Sequence, residues 1–173
     1  MTTLPEPNWL VSARKNIGER EVKGSKHNPL FLTWLKRLGA WWANDEVPWC
    51  GLFVAIHLYN SGRGIPKHWY RASAYADADY GTRLDDPCVG CLAVFTRTGG
   101  GHVAMVVGKD KRGNIMCLGG NQNDQVSIIP FDIARNPIWI WPPMANGVRS
   151  APLPERYNLP LLQSDGKVSV NEA

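Results

Sequence analysis

Three segments of the chain hold residue types that can do covalent chemistry. The first is Asp45-Glu-Val-Pro-Trp-Cys50-Gly-Leu-Phe-Val-Ala-Ile, where a cysteine behind a proline opens an apolar run. At the first turn of a helix the backbone N–H groups are unpaired and the helix dipole is positive, which draws a thiol toward its nucleophilic thiolate. The same N–H groups can hold an oxyanion. The plainer alternative is a small core residue, since free cysteine is among the most buried types. The second segment, Gly99-Gly-Gly-His102-Val-Ala-Met-Val-Val-Gly, delivers a histidine from a flexible glycine run to the first position of an apolar strand. An imidazole there can take a proton from a thiol, although a lone histidine after glycines is more often structural. The third segment is Cys117-Leu-Gly-Gly-Asn121-Gln-Asn-Asp-Gln-Val. The amide carbonyl of Asn121 is placed to accept the N–H on the far side of the ring and so fix its tautomer. By itself Gly-Gly-Asn is simply a turn. Gln122 and Asp124 compete for the same role; Asp124 has the stronger hold on a charged ring but lies further round the turn.

These residues require elements that bring them together. Trp9, Ala13 and Ile17, spaced by four, predict one helix face. Asn28 and Pro29 suit an N-cap and first helical position, Phe31, Leu35 and Leu38 supply an apolar stripe, and Gly39 ends the second helix. A third helix is expected from about Cys50 to Tyr59. After that the period changes: 92–95, 102–107, 115–118, 125–129 and 138–141 are short β-branched or aromatic runs set off by Gly, Asn, Asp and Pro, which predicts five antiparallel strands. Lys109 to Asn114 reads as a hairpin loop, placing the strand of His102 beside the strand that leads into Asn121. From Pro142 onward the chain is Pro-rich and then polar, and an extended or partly disordered tail is expected. The division is a catalytic domain over 1–143 and a tail over 144–173.

The three motifs in this order, a Pro-Trp-Cys helix start, a Gly-His-Val strand and a Gly-Gly-Asn-Gln turn, resemble the phage-type branch of the CHAP family, the cysteine, histidine-dependent amidohydrolases and peptidases. The resemblance covers roughly Ala13 to Pro143. It implies a papain-like α+β fold, with N-terminal helices packed on a roughly five-stranded antiparallel sheet, and cleavage of bacterial peptidoglycan. The implied triad falls on Cys50, His102 and Asn121, with Trp49 and Gln122 expected at the substrate. One departure is that family members commonly open the strand before the histidine with Gly-Asp, whereas this chain has Gly90-Cys91.

Rival residues are weaker. His57 shares the helical face of Cys50, but seven residues are about 10 Å along a helix, too far for a proton to pass. His27 and His68 sit beside lysines in loop-like segments and are expected at the surface. Cys88-Val-Gly-Cys91 precedes a strand, whereas a redox dithiol usually follows one and opens a helix. Zinc would need further ligands, and only Cys117 and His102 offer themselves. Asp45 with Glu46, and Asp77 with Asp79, lack the remaining pattern of a calcium loop and read as solvated carboxylates. No metal and no cofactor is expected.

With 173 residues, 44% hydrophobic and eight Trp, the chain has material for one core. No apolar run approaches the roughly 20 residues of a membrane span, so a soluble protein without membrane insertion is expected, as a monomer. Four cysteines do not make a disulfide framework. The N-terminus shows no signal peptide, so synthesis in a host cytoplasm and action on the wall in the periplasm are expected. Net charge +4 and pI near 9.0 favour an anionic partner. The scattered basic residues match no nucleic-acid motif, which leaves peptidoglycan as the expected partner and an endolysin as the expected role, an interbacterial toxin being the nearest alternative. Peptide cleavage and amide cleavage at the lactyl link share this machinery and stay open. The rivals from other classes are a non-catalytic wall-binding or virion module and a protein handling metal or redox chemistry through Cys88 and Cys91.

Overall fold

The computed structural model describes residues 4–43 and 48–169; Asp45 and Glu46 lie outside them. Helix α1 is Asn8–Arg14, α2 is Pro29–Arg37 and α3 is Cys50–Asn60. Strands β1 (Thr82–Leu84), β2 (Leu92–Arg97), β3 (Gly100–Lys109), β4 (Ile115–Gly119), β5 (Ser127–Phe131) and β6 (Ile138–Trp141) form one antiparallel sheet in the order β1-β6-β2-β3-β4-β5. The fold is α+β, as expected, with six strands in place of five. The extra strand, β1, is a three-residue edge, Thr-Arg-Leu, whose pattern is too short to carry a period.

Helix α3 is the centre of the molecule. From Cys50 to Leu58 every residue is buried, as an all-round apolar helix must be. It packs on β3 and β4 from one side and takes α1 and α2 on the other. Helix α2 follows its sequence signals: the Asn28 side chain accepts from Leu30 N at 2.9 Å, Pro29 is the first residue, and Gly39 carries the positive φ of 73° that ends the helix. Helix α1 is shorter than the period suggests. Trp9 and Ala13 are buried, but the helix stops at Arg14, which pairs with Glu6, and Ile17 lies beyond its end and is exposed.

The hairpin between β3 and β4 is built on Asp110, whose Oδ1 accepts from the N–H groups of Arg112 and Asn114 while Oδ2 accepts from the Asn114 amide. It sets Met105 opposite Leu118, so the strand of His102 does run beside the strand that leads into Gly119-Gly120-Asn121. Where the family pattern has Gly-Asp, Gly90 takes a φ of 88° against Pro7 and its carbonyl accepts from Trp9 Nε1. The segment after Pro143 is extended and tied down: Arg156 O accepts from Val89 N, Leu162 N donates to Lys109 O, and Ser169 N donates to Pro130 O. Leu159 and Leu162 pack on the core.

His57 joins α3 to α1. Its Nδ1 is 2.8 Å from Ser12 Oγ and its ring meets Phe53 and Trp34 edge-on, while its Nε2 is buried and finds no hydrogen-bond partner among the described residues. Burial lowers its pKa from the ordinary 6.5 to about 4. The unfolded chain therefore takes up a proton at a pH where the folded chain does not. Stability from this site is fully present above about pH 6.5 and is lost as pH falls toward 4, by up to about 3 kcal/mol. Chemical denaturation across that window should show His57→Gln losing less stability than wild type; equal slopes would place the acid sensitivity elsewhere.

Candidate active site

Cys50 is the first residue of α3, with Trp49 in the N-cap position. Cys50 belongs to the buried core but keeps 5% of its surface exposed, whereas Cys88, Cys91 and Cys117 keep none. The first turn is held from below. The buried Tyr75 hydroxyl donates to Gly51 O at 2.8 Å, and a Cβ on Gly51 would collide with the Trp69 carbonyl. Burial, then the neighbouring Tyr80 and Cys50, push the Tyr75 pKa well up, which keeps it a donor. Nothing in the sequence around Ala72–Ala76 signals this support, because a single tyrosine in a short 3-10 segment has no pattern to stand out from.

His102 is on β3 opposite Phe95, buried, with its ring stacked on Phe131 at 5.7 Å. The turn after β4 comes back to it. A Cβ on Gly120 would collide with the Trp49 ring and with Cβ of Phe53, so this turn is pressed onto the start of α3. Gly119 is equally crowded, by the Gln122 amide and by Ala104. The Gln122 side chain uses that space to fold back over β3, and its Oε1 lies 3.0 Å from His102 Nε2.

The orientation of this amide is fixed by its other end. Nε2 of Gln122 donates to Ser127 O at 2.7 Å and, more weakly, to Cys117 O at 3.4 Å. Both are carbonyls and can only accept, so the nitrogen must face them and the oxygen must face His102. Since Oε1 only accepts, His102 carries its proton on Nε2. Its basic lone pair is then on Nδ1.

This differs from the sequence expectation in two ways. The side chain on His102 Nε2 belongs to Gln122 and not to Asn121. Continuing the ladder from Met105 and Leu118 would bring Asn121 level with His102, but Asn121 takes a left-handed φ of 56° and turns the chain out of the strand before that pair forms. Gln122, expected at the substrate, is 1% exposed and has both ends of its amide engaged within the protein. The available signal was Gly119, a glycine three residues upstream with room for a long side chain to return. Trp49 is likewise only 1% exposed: its ring lies 4.3 Å from Phe31 and its Nε1 donates to Glu21 at 3.3 Å, so all but an edge of it serves the core.

The other candidates lie apart from this arrangement. His68 is exposed beside Tyr70, and Asp77 and Asp79 are exposed. Cys88, Cys91 and Cys117 are fully buried; Cys88 N donates to Cys91 Sγ, the hydrogen bond from Cys91 lowers the Cys88 pKa, and burial raises that of Cys91. Among the described residues no three His, Cys, Asp or Glu side chains are grouped to hold a metal ion.

A cysteine at a helix N-terminus, a strand histidine with a defined tautomer, and a glycine turn locking the two elements together fit one family. Residues 42–121 match the family model of the CHAP domain. Over that segment the chain is similar to a CHAP domain. CHAP domains are papain-like cysteine- and histidine-dependent amidohydrolases and peptidases, so the activity to be expected is hydrolysis by this class of chemistry. The matched segment spans Cys50 and His102 and ends at Asn121, one residue short of Gln122. No curated protein and no solved structure matches the chain.

The tautomer can be read directly. Long-range proton–nitrogen NMR spectra at neutral pH should place the His102 proton on Nε2. Gln122→Leu should abolish that preference and Asn121→Ala should leave it; the reverse pattern would return the orienting contact to Asn121.

Proposed function

We propose that the protein is a peptidoglycan hydrolase of endolysin type, with Cys50 as nucleophile, His102 as general base and Gln122 as the residue that orients His102. The observation that carries this reading is the two-ended Gln122 amide, which leaves a basic Nδ1 on the histidine of the strand packed against the nucleophile's helix. The Cys50 thiolate attacks a wall-peptide carbonyl, and helix N–H groups support the oxyanion. His102 protonates the departing amine to leave an acyl-enzyme, then activates the water that releases it. Asn121, in the turn just before Gln122, is a secondary candidate for the orienting role. The net charge of +4 suits the anionic wall. No described helix is long and apolar enough to cross a membrane, consistent with action on the wall polymer.

The test is digestion of purified peptidoglycan, with mass spectrometry of the fragments deciding between peptide and lactyl-amide cleavage. Cys50→Ala and Cys50→Ser should lose all measurable turnover while the circular dichroism spectrum stays native. His102→Ala should fall by orders of magnitude. Gln122→Ala should fall by about tenfold to a hundredfold, the usual worth of an orienting partner, and Asn121→Ala by less. Cys88→Ser and Cys91→Ser should keep most activity. Full turnover in Cys50→Ala would end the assignment of Cys50 as nucleophile, whereas wild-type protein that binds the wall without cutting it would favour a binding module of the same fold.

A further inference from the structure

Beside the first turn of α3 there is an aromatic cleft of about 540 Å³ that the proposed chemistry leaves unused. Its walls include Trp41, Trp42, Trp69, Tyr70 and Arg71, together with Trp49, the residue before Cys50. Trp42 stacks on Trp69 at 5.7 Å and meets Trp41 and Tyr70 edge-on at 5.4 and 5.2 Å. Two features set this wall apart from core packing. Trp41 is 91% exposed, a large apolar ring held out in water. Trp42 Nε1 is buried yet has no hydrogen-bond partner among the described residues, which is unfavourable for a strong donor. An occupant that relieves both must bring a flat apolar face and an acceptor at its rim.

We propose that this cleft binds an N-acetylated pyranose of the wall glycan. The C–H face of the ring lies on the exposed indole of Trp41, and an acetamido or hydroxyl oxygen accepts from Trp42 Nε1. This rests on peptidoglycan being the substrate. Within that polymer the stem peptides offer methyl groups and charged ends, too small or too polar to cover a multi-ring wall, whereas the sugars combine an apolar face with a rim of acceptors. Aromatic rings with a polar handle suit that mixed surface.

The test uses N,N′,N″-triacetylchitotriose, which has the sugar and no peptide. Trp41→Ala removes a side chain that is 91% exposed and so cannot open the core. Trp42→Phe keeps an aromatic ring and removes the donor. Wild type should bind the trisaccharide with a saturable change in tryptophan emission in the millimolar range, and each variant should weaken binding about tenfold, the worth of one lost hydrogen bond or ring contact. On purified peptidoglycan both should raise KM by a similar factor and hold kcat within about twofold, a split that general damage to the fold would not give. Wild-type protein that digests wall yet shows no response to the trisaccharide would overturn the sugar site, as would variants that bind it unchanged. Binding of the trisaccharide by a protein that leaves purified wall intact would uphold the sugar site and overturn the hydrolytic reading.

Discussion

Gly120 lies where any side chain would run into the Trp49 ring and Cβ of Phe53, and this contact ties together the two halves of the molecule. On one side of it stands α3, whose first residue is Cys50; on the other is the turn that follows β4 and returns Gln122 to His102. Without so close an approach the turn would stand off the helix by the width of a methyl group. Cores are packed too densely to take up such a gap without moving a neighbour. The N-terminal segment reinforces the same joint. Glu21 accepts from Trp49 Nε1 and its N–H donates to Asp124 O, while Val126 N donates to Glu19 O, so the turn is clamped from the side away from the sheet.

Within that joint the polar groups are matched. Gln122 is almost fully buried, and its oxygen and nitrogen both find partners, on His102 and on the Ser127 carbonyl. A buried amide satisfied at one end only would cost about 1–3 kcal/mol and would be free to flip. Satisfied at both, it has one orientation, and so does the ring it touches. Stacking of His102 on Phe131, and of Phe131 on Phe95 at 4.6 Å, holds the ring plane as well. A single side chain thus passes the geometry of β5 to the histidine of β3.

Much of this was legible in the sequence because its signals are local. The Asn28-Pro29 start of α2, the Gly39 stop, the Asp110 hairpin and the glycine-delivered His102 each depend on residues within a few positions of one another. The choice between Asn121 and Gln122, which the sequence leaves open, depends on a turn leaving the ladder. Asn121 pairs with His102 only if β4 continues straight, and the backbone at Asn121 is left-handed, a conformation that asparagine tolerates better than most residues. The same residue type that suggested a triad member also permits the turn that hands the contact to its neighbour. Trp49 shows both sides of its place beside the nucleophile: most of its ring packs into the core formed by α2 and α3, and it also lines the aromatic cleft beside the first turn of α3. Tyr75, supporting Gly51 from a distant 3-10 segment, is a long-range contact that no local pattern encodes.

The four cysteines show why position, more than residue type, decides which thiol is suited to chemistry. Cys88, Cys91 and Cys117 are fully buried, and burial raises the Cys91 pKa, which keeps that thiol protonated and inert. The lowered pKa of Cys88 comes first from the hydrogen bond from Cys91, but a thiolate favoured by another thiol in a sealed interior meets no substrate. Cys50 differs in three respects at once: it is the first residue of a helix, it retains a small exposed surface, and it belongs to the element that packs on the strand of His102. Each of the other thiols lacks the first two. At Gly90-Cys91 the chain takes a left-handed glycine followed by a small buried residue, and a thiol fills the second position without an unpaired charge.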